Sequence, residues 1–130
     1  MKLKNVLLVV SDLERSKRFY KTLFGLEPIR DLEENVILME GLVLQERKSW
    51  EDALGKKAIL PNYGAELYFE EQNLDSFLER LRSSEFPMEI LTQEEENAGG
   101  CRAVRIYDPD GHVIEIGGYC SHPISLSLVD

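Results

Sequence analysis

Histidine and cysteine are scarce in this sequence, which has two of each among its 130 residues. Cys101 and Cys120 lie far apart without zinc-motif spacing, so we expect free thiols in a reducing compartment. His112 is three residues from Glu115, so strand alternation puts the two on opposite faces. We interpret His112 as a turn residue and assign no role to His122. The imidazoles that suit zinc, nickel or ferrous iron are therefore lacking.

Basic residues are also in the minority, with 15 Lys and Arg against 24 Asp and Glu and a net charge of −9. This balance argues against a nucleic-acid partner and an anionic membrane surface, and it is compatible with a cationic ligand. No apolar run reaches the roughly 18 residues of a membrane span. The N-terminal stretch has no small-residue cleavage site, so we expect no signal peptide and a cytoplasmic location.

The first part of the chain contains one helix among short strands. The apolar run Val6–Val10 predicts a buried strand, and Ser11 with Glu14 matches a capping box that begins a helix near Asp12. Gly25 is a typical helix end. Helical spacing predicts a buried stripe of Leu13, Ser16, Phe19, Tyr20, Leu23 and Phe24. The strands predicted next are Glu27–Arg30, Val36–Met39 and Leu42–Glu46, with a Glu-Gly turn at 40–41.

The longest connection lies near the middle of the chain, at residues 48–63. It mixes charges with Trp50 and Leu54 and interrupts the pattern of strands and helices. A connection of this length is either a linker or a lid over a site. We therefore divide a single domain, residues 1–130, into module one (about 1–47), this connection (48–63), module two (about 64–118) and a tail (119–130).

The second part repeats the order of the first. Ala65–Glu71 alternates as a strand does, and Asn73 is a typical helix cap. The helix stripe consists of Leu74, Phe77, Leu78 and Leu81, and the strands predicted after it are Met88–Leu91, Arg102–Tyr107 and Val113–Gly117. One constant offset relates Asn5, Asp12 and Leu13 to Glu66, Asn73 and Leu74. We predict an α+β fold in which two βαβββ modules with curved mixed sheets enclose a cavity.

Two stretches of the sequence resemble the glyoxalase / bleomycin-resistance / extradiol-dioxygenase superfamily, also called vicinal oxygen chelate proteins. "NVLLVVSDLERSKRFYKTLFGLEP" resembles the beginning of its first module, and "YDPDGHVIEIGGY" resembles the hairpin that ends its second module. With "YGAELYFEEQNLDSFLERL" between them, the resemblance covers nearly the whole chain. It implies the paired βαβββ fold but no single activity, because that fold has many functions.

The resemblance also implies four site positions. Metal-dependent members place ligands on the first and last strand of each module, and these positions correspond to Asn5, Gln45, Glu66 and Glu115. Such members usually have His at the Asn5 position and often at the Glu66 position, so a 2-His-1-carboxylate iron site for ring cleavage is not expected. The oxygens of Gln45, Glu66 and Glu115 suit a hard divalent ion such as magnesium, manganese or calcium. Alternatively, these groups hydrogen-bond an organic ligand without metal.

Strand alternation supports part of this set. Glu66, Tyr68 and Glu70 share one strand face. Glu115 lies between two isoleucines, where a carboxylate needs a cation, a donor or a ligand, and an internal Arg or Lys is the alternative partner. Trp50 and Tyr68 are candidate stacking surfaces for a cationic aromatic ligand.

We therefore expect a homodimer that binds a small organic ligand in its cavity, with no cofactor favoured. The residues expected to bind this ligand are Asn5, Gln45, Tyr68 and Trp50. The second hypothesis is a divergent glyoxalase-like lyase or isomerase that uses a divalent metal ion, with Glu115 or Glu66 as the general base. The third is a structural dimer module with a vestigial pocket. The dimer follows from the resemblance, because paired modules of this superfamily often complete each other's cavity.

Overall fold

The computed structural model describes residues 1–86, 90–92 and 102–118, and the chain divides into two compact units, Met1–Pro61 and Asn62–Asp130. Each unit contains one βαβββ module with a four-stranded mixed sheet, which confirms the predicted α+β fold class. Each sheet is open, with an edge strand on either side. The enclosed cavity stays a prediction. No helix in the described ranges is long and apolar enough to cross a membrane.

The first unit contains, in chain order, β1 (Val6–Val10), α1 (Leu13–Phe24), β2 (Pro28–Asp31), β3 (Asn35–Leu38), β4 (Leu42–Glu46) and α2 (Arg47–Leu54). Its strands lie in the order β1-β4-β3-β2, with β1 parallel to β4 and the other pairs antiparallel. Helix α1 packs against β3 and β4. The apolar side chains in this core that are fully buried are Val10, Phe19, Tyr20, Leu23, Val36, Leu38 and Leu44.

Helix α1 has the predicted extent, but its cap is one residue later than the predicted capping box. The side chain of Asp12 accepts a hydrogen bond from the backbone N–H of Arg15 at 3.1 Å, which satisfies one donor of the first turn. Ser11 instead accepts a hydrogen bond from the Arg15 guanidinium at 2.9 Å. Gly25 ends the helix with a φ of 67°, as its position predicted.

The predicted connection at 48–63 contains α2, a helix that the sequence pattern did not predict. Its cap is Glu46, whose carboxylate accepts hydrogen bonds from two backbone N–H groups of the first turn. Glu is not a preferred cap residue, so the usual start signal is absent. Helix α2 packs against β1 and β4, and hydrogen bonds of 2.8 Å join Arg47 and Glu51 to the backbone of Ala58. Helix α2 and the residues that follow it as far as Pro61 are therefore part of the first unit.

The second unit contains β5 (Glu66–Glu71), α3 (Leu74–Ser83), β6 (Ile90–Thr92), β7 (Ala103–Tyr107) and β8 (Val113–Gly118). Its strands lie in the order β5-β8-β7-β6, with β5 parallel to β8 and the other pairs antiparallel. Asn73 caps α3 as predicted, since its side chain accepts a hydrogen bond from the Ser76 N–H at 3.0 Å. The predicted strand Met88–Leu91 lies partly outside the described residues, as do Cys101, Cys120, His122 and the tail 119–130 entirely.

The core of the second unit lies between α3 and one face of its sheet. Helix α3 packs on β8, and the apolar residues of β7 and β8 alternate with polar ones. The buried apolar side chains among the described residues of this unit are Leu74, Phe77, Leu78, Leu81, Phe86, Val104, Ile106, Ile114 and Ile116. Because neighbouring residues of a strand point to opposite faces, the polar residues of β7 and β8 lie on the other face.

Candidate functional site

The polar face of the second sheet carries the predicted carboxylates. Strand β8 lies between β5 and β7, and the register places Glu115 beside Tyr68 on β5 and beside Arg105 on β7. Glu66 lies on the same face beside Val113, because residues two apart along a strand point the same way. The register therefore confirms the alternation predicted for β5.

Arg105 connects the two carboxylates, and we call Glu66, Arg105 and Glu115 the Arg105 cluster. Its Nε donates a hydrogen bond to Oε1 of Glu66 at 2.6 Å, and its Nη2 lies 2.5 Å from Oε1 of Glu115. The Glu115 side chain is only 6% exposed, whereas that of Arg105 is 44% exposed. A carboxylate buried to this degree is unfavourable unless it is paired. The structure therefore contains the internal arginine partner that the sequence left as an alternative.

The electrostatics of the cluster favour a charged guanidinium. The hydrogen bond to Glu66 raises the pKa of Arg105, and the charges of Glu115 and Glu66 add to this effect against the opposing effect of burial. Arginine is in any case charged at every pH that proteins tolerate. Arg105 is thus a permanent cation placed between two acidic side chains.

Two aromatic groups lie next to the cluster. The hydroxyl of Tyr68 lies over Gly117, which has no β-carbon to collide with it. Tyr107 is two residues from Arg105 on the same strand face, and its ring centroid is 5.5 Å from that of Tyr63, with the planes tilted by 34°. Tyr63 is 61% exposed. These rings provide flat apolar surface close to the charged groups.

The turn between β7 and β8 fixes the register of the cluster. Buried Asp108 accepts hydrogen bonds at Oδ1 from the backbone N–H groups of Asp110 and His112, both at 2.9 Å. Its Oδ2 lies 2.7 Å from Nδ1 of His112. Burial lowers the pKa of His112, but the hydrogen bond and the charge of Asp108 outweigh it, and the net shift is upward. His112 therefore belongs to the turn, as the sequence predicted.

The two amide positions in the first unit lie at different levels of its sheet. Asn5 is exposed and lies beside Gly41, one residue before β1. Gln45 pairs with Val9, four positions further along the same parallel strands, which is about 13 Å of backbone. Its Nε2 donates a hydrogen bond to Oγ of Ser49 at 3.1 Å. In this structure the side-chain amides of Asn5 and Gln45 are too far apart to contact the same small ligand atom.

The strand register also shows which residue of the first unit lies at the level of Glu115. In the second unit Glu115 lies two residues beyond Val113, the β8 partner of Glu66. The corresponding residue in the first unit lies two beyond Gly41, the neighbour of Asn5, and this is Val43. Val43 is a buried apolar side chain with no ligand atom. A binding role for Gln45, and for half-buried Trp50 in α2, stays a prediction.

The glyoxalase-like domain model matches the sequence over residues 3–121. The chain belongs to this family. No curated protein matches it significantly. Among solved structures, a protein of unknown function from Agrobacterium tumefaciens strain C58 is 30% identical, with a TM-score of 0.75, over 91% of this chain and 94% of that one. A glyoxalase-related enzyme from Fulvimarina pelagi is 25% identical, with a TM-score of 0.74, over 95% of this chain and 89% of that one.

A glyoxalase/bleomycin resistance protein/dioxygenase family enzyme from Burkholderia phytofirmans PsJN shares the fold at 15% identity, with a TM-score of 0.74, over 88% of this chain and 96% of that one. These comparisons confirm the predicted vicinal oxygen chelate superfamily. They do not assign this glyoxalase-like chain an activity, because one fold accommodates many chemistries.

The superfamily's metal site is not matched by the residues present. The carboxylates of Glu66 and Glu115 already bind Arg105, whose charge repels a second cation. Within residues 1–86, 90–92 and 102–118, no group of three or more His, Cys, Asp or Glu side chains could hold a metal ion. The arrangement in the second unit therefore supports no metal-dependent step. The joining of Asn5 with Glu66 and Glu115 in one site stays a prediction.

Sequence reasoning missed Arg105, although a signal for it exists. The turn at 108–112 is centred on Asp110, and Arg105 precedes Asp110 by as many residues as Glu115 follows it. In a hairpin with this turn the two residues become direct neighbours, as the observed pairing shows. The symmetry of the hairpin was thus sufficient to suggest this ion pair.

Proposed function

We propose that this glyoxalase-like chain binds a small organic ligand on the polar face of its second sheet, and that binding requires no divalent metal ion. The observation that carries the proposal is the Arg105 cluster, in which two carboxylates hold one partly exposed guanidinium beside Tyr68 and Tyr107. A donor that is already fixed in place loses little conformational entropy when a ligand binds. In the second hypothesis from the sequence, one of these carboxylates, Glu115 or Glu66, would instead act as the general base of a lyase or isomerase.

The guanidinium can donate to a ligand as well as to its carboxylate partners. Arginine has five N–H donors in a plane. Among the described residues, Arg105 contacts Glu66 and Glu115 through Nε and Nη2. Its Nη1 is therefore suited to a carbonyl or amide oxygen of a ligand.

The charge of this face favours a neutral or cationic ligand over an anion. Three carboxylates, those of Glu66, Glu70 and Glu115, lie on it with one guanidinium, that of Arg105. A surplus of negative charge attracts cations and raises their local concentration. A planar ring that bears positive charge would also gain from contact with Tyr68 or Tyr107.

Three probes of nearly equal size test the proposal: 1-methylnicotinamide, nicotinamide and nicotinate, which are cationic, neutral and anionic at pH 7. We expect the cation to bind most tightly and the anion least, with ¹H–¹⁵N resonance shifts at Tyr68, Arg105 and Tyr107. Binding should persist in EDTA. If no probe shifts these resonances, or if shifts appear only after Mn²⁺ is added, the proposal is wrong, and the second result favours the metal-dependent lyase or isomerase.

The variant Glu66→Gln should reduce the preference for the cation several-fold, because it removes one charge from the face. Glu79→Gln is the matched control, since Glu79 is an exposed residue of α3 paired with Arg82. It removes the same charge from the helix and should leave the order of the three affinities unchanged. An equal loss in both variants would point to the overall charge of the protein and not to this face.

The homodimer and the cytoplasmic location remain proposals that rest on the resemblance and the composition. Light scattering coupled to size-exclusion chromatography tests the dimer directly. A mass equal to one chain at micromolar concentration would contradict it.

A further inference from the structure

The two carboxylates of the Arg105 cluster lie close enough together to share one cation. Oxygens of Glu66 and Glu115 are 2.6 and 2.5 Å from two nitrogens of the same guanidinium. These are the positions at which metal-dependent members of the superfamily carry ligands in this module. We infer that the guanidinium of Arg105 is a built-in cation that takes the place of a divalent metal ion between Glu66 and Glu115, and that this place is open to a metal only when Arg105 is removed.

The backbone holds Arg105 in this place. Arg105 on β7 pairs directly with Glu115 on β8, and its side chain extends across β8 to reach Glu66 on β5. The short Asp108 turn sets this register, because two backbone N–H groups donate hydrogen bonds to the Asp108 carboxylate. Because Arg105 is part of the same hairpin as Glu115, its guanidinium is always close to the two carboxylates. Its effective concentration there is higher than that of a free metal ion in solution.

Charge explains why Arg105 and a metal ion exclude each other. Glu115 is buried, so its carboxylate needs one close positive charge, and Arg105 supplies it. A divalent ion between the same oxygens would lie within a few ångströms of the guanidinium and would be repelled. Without Arg105, two facing carboxylates with water would offer the oxygen ligands that Mn²⁺ or Mg²⁺ accepts.

The inference concerns the chain's own residues and does not depend on an organic ligand. Its probe is Mn²⁺ alone, followed by electron paramagnetic resonance of the free ion and by paramagnetic broadening of amide resonances. Wild type should show no Glu66-dependent binding up to millimolar Mn²⁺. Arg105→Gln should bind Mn²⁺ at least tenfold more tightly than wild type, with broadening centred on β5 and β8, and Mn²⁺ should raise its melting temperature.

Three further variants control the result. Arg105→Gln/Glu115→Gln should lose the gain, because one of the two carboxylates is removed. Arg80→Gln removes another arginine that pairs with a glutamate in the same unit, at 3.2 Å from Glu71, and should bind like wild type. Arg105→Lys keeps a cation in place and should also bind like wild type.

Two results would overturn the inference. The first is Glu66-dependent Mn²⁺ binding by wild type as tight as that of Arg105→Gln. The second is a folded Arg105→Gln, judged by its dispersed ¹H–¹⁵N spectrum, that gains no affinity. If Arg105→Gln is unfolded without metal, the wild-type titration and Arg105→Lys still decide the question, because a gain in Arg105→Lys contradicts the required role of the charge.

Discussion

Tyr68 and Gly117 lie on neighbouring strands so close together that a β-carbon at residue 117 would overlap the tyrosine hydroxyl. A side chain at residue 117 would therefore force the Tyr68 ring to move. We predict that Gly117→Ala lowers the free energy of unfolding by about 1–3 kcal/mol, as overpacking does, and displaces the Tyr68 ring. Urea unfolding and the Tyr68 ring resonances measure the two effects.

A matched control lies one residue further along β8. Among the described residues, a β-carbon at Gly118 would meet only the backbone oxygen of Arg102, at an ordinary 3.8 Å, so Gly118→Ala should change stability much less. Gly117→Ala combined with Tyr68→Ala should lose less than the sum of the single changes, because the collision is gone. Additive losses would show that the two side chains do not compete for space.

Ser16 lies in the core of the first unit with an unsatisfied hydroxyl. Its side chain is fully buried on α1, and its Oγ has no hydrogen-bond partner in the described part of the chain. We predict that Ser16→Ala raises the free energy of unfolding by about 1 kcal/mol, because it removes an unpaired buried polar group and improves helix propensity. Ser76→Ala on α3, whose exposed hydroxyl accepts from Arg80, should bring no such gain. A less stable Ser16→Ala protein would show that the hydroxyl has a partner.

The pair of Asp108 and His112 predicts how stability depends on pH. The folded pKa of His112 is raised, so its contribution to stability is fully present below the unfolded value of about 6.5 and is lost as pH rises through the folded value. We therefore expect the stability difference between wild type and His112→Asn to shrink between pH 6 and pH 9. The charge of Asp110 also raises the pKa of this ring. An NMR titration of the His112 ring that gives a pKa below 6.5 would contradict this assignment.

Adjacent residues of the β3–β4 turn should respond oppositely to substitution. Glu40 has a φ of 66° and Gly41 a φ of 77°, so both are left-handed. A β-carbon at Gly41 would also approach the backbone oxygen of Lys4 to 2.7 Å. We predict that Gly41→Ala destabilises the protein by more than about 1 kcal/mol, whereas Glu40→Gly is neutral or slightly stabilising because it relieves a strained conformation. Thermal unfolding of both variants tests this, and a tolerated Gly41→Ala would show that the turn can rearrange.

Much of the fold could be predicted because its signals are local. Helical spacing identified Phe19, Tyr20 and Leu23 as core residues of α1, and all three are fully buried. The chain order of helices and strands in each βαβββ module followed from periodicity and turn signals, whereas the order of the strands within each sheet came only from the structure. Helix α2 escaped prediction because Glu46 is an unusual cap.

The candidate site was predictable only in part. Alternation placed Glu66 and Tyr68 on one face, and strand pairing confirms it. Gln45 was assigned without knowledge of how β1 pairs with β4. The observed pairing places Val43 at the level in the first unit that corresponds to Glu115 in the second. Distances between strands are set by pairing, and a single strand read in isolation does not contain them.

The sequence by itself determined which side chains of each strand share a face, because this follows from the two-residue period of a strand. It also determined that the carboxylate of Glu115 needs a partner, because burying an unpaired charge is unfavourable. Only the tertiary structure decided that one guanidinium, that of Arg105, binds both Glu115 and Glu66. The physical reason is that electrostatic pairing depends on distances of a few ångströms, and the distance to Glu66 arises only when β5, which is distant in sequence, is brought into register with the β7–β8 hairpin.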